Sequence, residues 1–173
     1  LGNLRQLLAD AQNQVHTTPA PGKGEGVVVF TPECLGGILY ELLGNYVADS
    51  VLIDGTSQWK DKLGQQVTDP RLTVRIAPLH DAVVCGERYT QEGFLSEDYD
   101  VIKDGVLKQF GLSAYIANKV GGKRAPNTAA NMVVSPGDTT LEDMIAGTKK
   151  GLLVSRFSGG QPGTNGDFSG VAK

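Results

Sequence analysis

Residues 99–110 read YDVIKDGVLKQF, and their centre, Asp104-Gly105, is the dipeptide that a tight hairpin turn requires. Both central residues of such a turn take positive φ, which Asp tolerates and Gly adopts freely. Tyr99–Lys103 and Val106–Phe110 are therefore expected to run antiparallel, with no helix between them. Working outward, Leu72, Val74 and Ile76 alternate with Thr73 and Arg75 as a half-buried strand that ends at Pro78. Val83-Val84-Cys85 adds an expected short strand, and Met132–Val134 another. Ser113 is placed to cap a short helix, Ala114–Val120, that Gly121-Gly122 closes. Thr139-x-x-Glu142 resembles a capping box for a helix over about 140–149, ended by Gly151, with a strand following at Leu152–Phe157. Helices are interspersed among strands that hairpins join as well as crossovers. The fold class is α+β with a mainly antiparallel sheet.

Leu4, Leu7, Leu8, Ala11 and Val15 form one stripe of an amphipathic helix candidate over residues 1–16, and Thr17–Gly26 is a Pro- and Gly-rich linker. The chain thus divides into an N-terminal helix with linker, residues 1–25, and an α+β domain, residues 26–173. That domain opens on a buried-looking strand, Val27–Phe30, followed by TPECLGGILYELLGNYVAD at residues 31–49. Thr31 suits an N-cap, Pro32 the first helical position and Glu33 the positive end of the helix dipole. Leu35, Ile38, Leu39, Leu42, Leu43, Tyr46 and Val47 make the helix at 31–48 apolar over more than the roughly 100° arc that one sheet covers. A second surface, from the same chain or from a neighbouring subunit, is expected on it. Residues 51–69 mix loop and turn signals. The tail SGGQPGTNGDFSG, residues 158–170, holds five glycines and is expected to be poorly ordered or to make its contacts only in a longer protein.

Composition bounds the function. With 173 residues the chain can bury a real core, and 40% hydrophobic with 20% charged residues places it among soluble globular proteins. A formal net charge of -3 speaks against nonspecific nucleic-acid binding, and no apolar run is long enough to span a membrane. Two cysteines, Cys34 and Cys85, both among apolar neighbours, read as buried thiols of a cytoplasmic protein. A start at Leu1 without Met, and an end just after a glycine-rich stretch, read as a fragment of a longer multi-domain chain.

Within the 31–48 helix, Tyr40, Glu41 and Asn45 form the one constellation with a sharp chemical reading. Histidines at 40 and 45 would give His-Glu-three residues-His, a zinc site with its own general base. A phenol and a neutral amide stand there instead, and both are poor zinc ligands. No metal, no cofactor and no catalytic residue is expected; Tyr40 is expected to cover apolar surface and Glu41 to be hydrogen-bonded or solvent-facing. The two histidines, His16 and His80, are far apart in sequence and lack ligand spacing. Cys85 lies near His80, but a buried structural thiol fits it at least as well as a nucleophile. Ser155, Ser158 and Ser169 flank glycines without a Gly-x-Ser-x-Gly elbow, and the tail lacks the Gly-Lys-Ser/Thr ending of a phosphate loop.

Four segments carry a family resemblance: LYELLGNYVAD (39–49), GTSQWKDKLGQQVTDPRLTV (55–74), YDVIKDGVLKQFGLSAYIANKVGG (99–122) and PGDTTLEDMIAGTKKGLLVSRFSGGQPGTNGDFSG (136–170). Together the chain resembles the TldD/PmbA family, paired peptide-maturation proteases also described as modulators of DNA gyrase, over most of residues 26–170. In that family the catalytic TldD-type subunit carries a zinc-binding His-Glu-x-x-x-His helix, and the PmbA-type partner, also called TldE, lacks it. This sequence keeps Glu41 but has Tyr40 and Asn45 at the histidine positions, so the resemblance is to the PmbA-type branch. It implies a noncatalytic, structural or substrate-positioning subunit of a peptide-cleaving complex in the cytoplasm. The implied partners are a TldD-like catalytic subunit or a second copy, favoured over the same chain as the second surface on the 31–48 helix, and an unfolded peptide, with neither nucleic acid nor membrane. It also implies that an N-terminal α/β domain and a C-terminal β-rich portion are missing. Two alternatives stay open: a hydrolase in its own right through Glu41 or Cys85, and a gyrase-modulating binding protein.

Overall fold

Asp104 and Gly105 take φ of 50° and 75°, and the chain reverses there as the turn chemistry dictates. A computed structural model describes residues 4–17, 19, 22–127 and 131–172. In chain order its elements are α1 (Leu4–Asn13), β1 (Val27–Phe30), α2 (Pro32–Val47), α3 (Asp49–Ile53), β2 (Val74–Ile76), β3 (Tyr99–Lys103), β4 (Val106–Leu107), α4 (Ala114–Val120), β5 (Met132–Val134), α5 (Leu141–Gly147), β6 (Gly151–Val154), β7 (Phe157–Pro162) and β8 (Phe168–Ala172). The main sheet has the order β4-β3-β2-β5, antiparallel throughout. β7 and β8 form a separate antiparallel hairpin, and β1 pairs with β6 in parallel. The fold is α+β.

Alternation in β2 is clean, with Val74 and Ile76 buried around an exposed Arg75, whereas β3 buries Val101 and Ile102 in succession. Register explains the difference. Val74 faces Ile102 but Arg75 faces Asp100, so Val101 is the extra residue of a bulge. The same pairing joins the Arg75 guanidinium to Asp100 at 2.9 Å. Leu43 and Val47 of α2 pack on Val74, Ile76, Val101, Ile102 and Leu107, which together form the core. Each such side chain contributes about 1.5–3 kcal/mol through burial.

Local capping works as the residue types require. The Thr31 hydroxyl accepts the Cys34 N–H at 3.4 Å, with Pro32 at the first helical position. The Ser113 hydroxyl accepts the Ile116 N–H at 3.3 Å, and Gly121 closes α4 in the left-handed conformation. Ser113→Ala should lower stability by about 1 kcal/mol, read as a shifted urea midpoint with an unchanged slope. The cap of α5 is Thr140, which accepts the Asp143 N–H at 3.1 Å, one residue later than the expected Thr139 with Glu142.

Several other expectations are corrected. Residues 83–85 form no strand; Val84 is 97% exposed and Cys85 is exposed rather than buried, because this apolar triplet lies in a loop that joins no strand ladder among the described residues. The Val27–Phe30 strand is only half-covered, since β6 is its one partner among the described residues and Val27 and Val28 remain exposed. Residues 158–170, expected to be poorly ordered or to make contacts only in a longer protein, lie in the β7–β8 hairpin and its turn and make contacts within this chain. Phe157 meets Phe30 at 6.0 Å and Phe168 edge-on at 4.7 Å between ring centres, so aromatic packing offsets part of the entropy of ordering the glycines. The hairpin also lies on a flank of α2, so the chain itself supplies a second surface for that helix. The leucines of α1, in contrast, are exposed.

Candidate functional site

Tyr40, Glu41 and Asn45 stand on one helix between the main sheet and the C-terminal hairpin. On the sheet side lies a cavity of about 270 Å³, bordered by all three and closed by Val101, Tyr99 and Met132. On the hairpin side lies a cleft of about 430 Å³ bordered by Glu33, Cys34, Arg156 and Phe157. Glu41 borders both. The two openings thus share one carboxylate.

The three residues are not equivalent. Tyr40 is 55% exposed and Glu41 is exposed, and neither is held by a side-chain hydrogen bond among the described residues. Asn45 is half-buried, and its amide nitrogen donates to the Pro162 carbonyl at 2.6 Å. Pro162 is itself buried at the end of β7. Asn45 therefore fastens the hairpin to the helix. Beside it, Tyr46 stacks on Trp59 at 4.4 Å, and the Ser57 hydroxyl donates to the Tyr46 carbonyl at 2.6 Å.

Cys34 lies under the hairpin. Burial pushes its thiol up, and the Phe157 backbone N–H on the sulfur offsets this only in part. A thiol so placed is a poor nucleophile at neutral pH. Tyr99, in the wall of the sheet-side cavity, is pushed up to about 12 by burial. Its folded value lies above the unfolded value of about 10, so its contribution to stability is intact below pH 10 and is lost as pH rises toward 12. The loss amounts to about 2–3 kcal/mol at most. Tyr99→Phe should flatten that alkaline loss, seen by comparing urea midpoints of the two proteins at neutral and strongly alkaline pH.

Zinc is the metal that the sequence resemblance implies for catalytic members, and the donors here do not fit it. Position 45 offers a neutral amide whose nitrogen is tied to a backbone carbonyl, position 40 offers a phenol, and Glu41 is the one carboxylate of the three. Among the described residues no group of three or more His, Cys, Asp or Glu side chains is placed to hold a metal. His80 shapes a turn, its Nδ1 accepting the Ala82 N–H at 3.1 Å. Of the cavity's walls, sequence reasoning missed Tyr99, Val101 and Met132; their membership in buried strands was visible, but which face meets α2 depends on the bulge at Val101.

The domain model for the PmbA/TldA metallopeptidase C-terminal domain matches residues 23–173. That match, over most of the chain, defines a domain of this metallopeptidase family. The chain belongs to the TldD/PmbA family. A metalloprotease of Methanocaldococcus jannaschii is 27% identical over 94% of this chain and 39% of its own length. Metalloprotease PmbA of Escherichia coli O157:H7 is 30% identical over 82% of this chain and 32% of its own. Among solved structures, a Bacteroides thetaiotaomicron protein named as a modulator of DNA gyrase superposes with a TM-score of 0.87 at 25% identity, over 99% of this chain and 39% of that one. TldE from Thermococcus kodakarensis shares the fold with a TM-score of 0.71 at 21% identity, over 91% of this chain and 39% of that one. The chain spans about two fifths of the length of the first of these relatives. Among the described residues, no helix is long and apolar enough to cross a membrane.

Proposed function

We propose that this chain is part of a noncatalytic, PmbA/TldE-type subunit that positions an unfolded peptide for a TldD-like catalytic subunit in the cytoplasm. The observation that carries the reading is the Asn45–Pro162 hydrogen bond at 2.6 Å. The side chain at the second histidine position builds the fold, and Tyr40 at the first is not a zinc donor of the usual kind. Residues 26–173 act as the working domain and residues 1–25 as a connecting segment. An extended peptide is held through backbone hydrogen bonds along a free strand edge, a mode that demands little of its sequence. A second copy of the chain is the alternative partner.

The names of the matched relatives favour a second reading, in which this protein is a metalloprotease in its own right. Cleavage assays on an unfolded peptide separate the two. The full-length protein alone should leave the peptide intact, and addition of a TldD-like subunit should give a complex by light scattering together with cleavage. Cleavage by the lone protein, or no association in the mixture and no self-association, counts against the proposal.

A further inference from the structure

We propose that a basic pocket bordered by Leu52 of α3 docks an acidic peptide segment through one apolar side chain. The pocket has a volume of about 470 Å³ and shares no lining residue with the two openings beside α2. It therefore stands independently of the reading given to Tyr40, Glu41 and Asn45. Its floor is apolar: Leu112 is buried and Leu52 and Phe110 are half-buried. At its mouth Leu63 is 55% and Val120 41% exposed. Lys60, Lys108 and Lys123 rim the opening and are all exposed.

Charge sets this pocket apart from the openings beside α2, which Glu33 and Glu41 border. The chain carries a formal net charge of -3, yet no acidic residue lines this opening. Among the described residues none of the three lysines has a carboxylate partner; the two ion pairs lie elsewhere, at Arg71–Asp69 and Arg75–Asp100. Three ammonium groups around an apolar hollow focus a positive potential on it. Lysine offers a mobile point charge rather than a fixed fork, which suits a flexible run of carboxylates more than one rigid anion. The hollow supplies the anchor that charge alone does not, a desolvated seat for one aliphatic or aromatic side chain. Nucleic acid fits less well. The lining has no arginine, and its one aromatic ring, Phe110, packs against the core rather than presenting a face for base stacking.

The test is a fluorescence-anisotropy titration of the full chain with a labelled peptide, EDEFEDE. Saturable binding is expected, weakened on the order of tenfold by Lys108→Glu combined with Lys123→Glu, and weakened further as salt rises. Replacing the peptide's Phe by Ser should weaken it comparably. Leu63→Gln, an exposed change that leaves the charges in place, should also weaken it and serves if the lysine variant fails to fold. Trp59 emission and far-UV circular dichroism report folding in each case. Failure of the peptide to bind, affinity unchanged by both the lysine and the Leu63 substitutions, or tighter binding of oligothymidylate than of the peptide would overturn the proposal.

Discussion

Alanine in place of Gly105 is expected to lower folding stability by about 3 kcal/mol and the melting temperature by roughly 10 °C. Gly105 has a φ of 75°, which costs an L-residue with a side chain about 1–2 kcal/mol. The larger part is steric. A Cβ there would stand 2.6 Å from the Thr68 carbonyl oxygen and 2.8 Å from that of Asp69, besides meeting the Gln66 amide. Backbone oxygens cannot swing aside as a side chain would. They are held because the 64–72 loop is bonded to the hairpin: Gly105 N–H donates to Leu72 at 2.9 Å, and its carbonyl accepts from Val67 at 2.9 Å and Thr68 at 3.2 Å. Gly64 provides the control. It too has a positive φ, 79°, but open space where a Cβ would point, so Gly64→Ala should cost only about 1 kcal/mol. Thermal unfolding of both variants decides the matter; equal losses would show that the loop does not grip the turn.

The double substitution Tyr40→His with Asn45→His is expected to loosen the C-terminal hairpin and to give no peptidase. Replacing Asn45 removes the amide that satisfies the Pro162 carbonyl. Leaving a buried carbonyl without its donor costs about 1–3 kcal/mol. Amide exchange over residues 157–172 should accelerate by roughly 5- to 100-fold, while the main sheet stays protected. Two imidazoles alone do not make a working zinc site, since further ligands and the groups that orient them are also needed. Zinc-dependent cleavage by this variant would refute the assignment of Asn45 to a structural role.

What the sequence disclosed, and what it hid, follows the range of the interactions involved. The Asp104-Gly105 turn and the caps at Thr31 and Ser113 depend on residues a few positions apart, and each forms at the residue its chemistry names. α3 went unseen because five residues hold too few turns to show a helical periodicity. The Val83–Cys85 run showed strand composition but pairs with no strand among the described residues, and composition alone cannot provide a pairing partner. β1 and β6 pair across more than a hundred residues, and nothing local announces such a contact. The glycine-rich tail misled most. Its order depends on Phe30, Cys34 and Asn45, all contributed by distant parts of the chain. At the site, Tyr40, Glu41 and Asn45 were legible as neighbours on one helix. That Asn45 is tied to Pro162, and that Glu41 separates two openings, emerged only from the packing of hairpin and sheet around α2.

Metal analysis of the full-length protein, run beside a peptidase assay without any partner, tests the central claim most directly. A protein with a phenol at Tyr40 and an amide at Asn45 on α2 should purify with far less than one zinc per chain and should leave an unfolded peptide uncut. One tightly held zinc per chain, together with cleavage by the protein alone, would contradict the account.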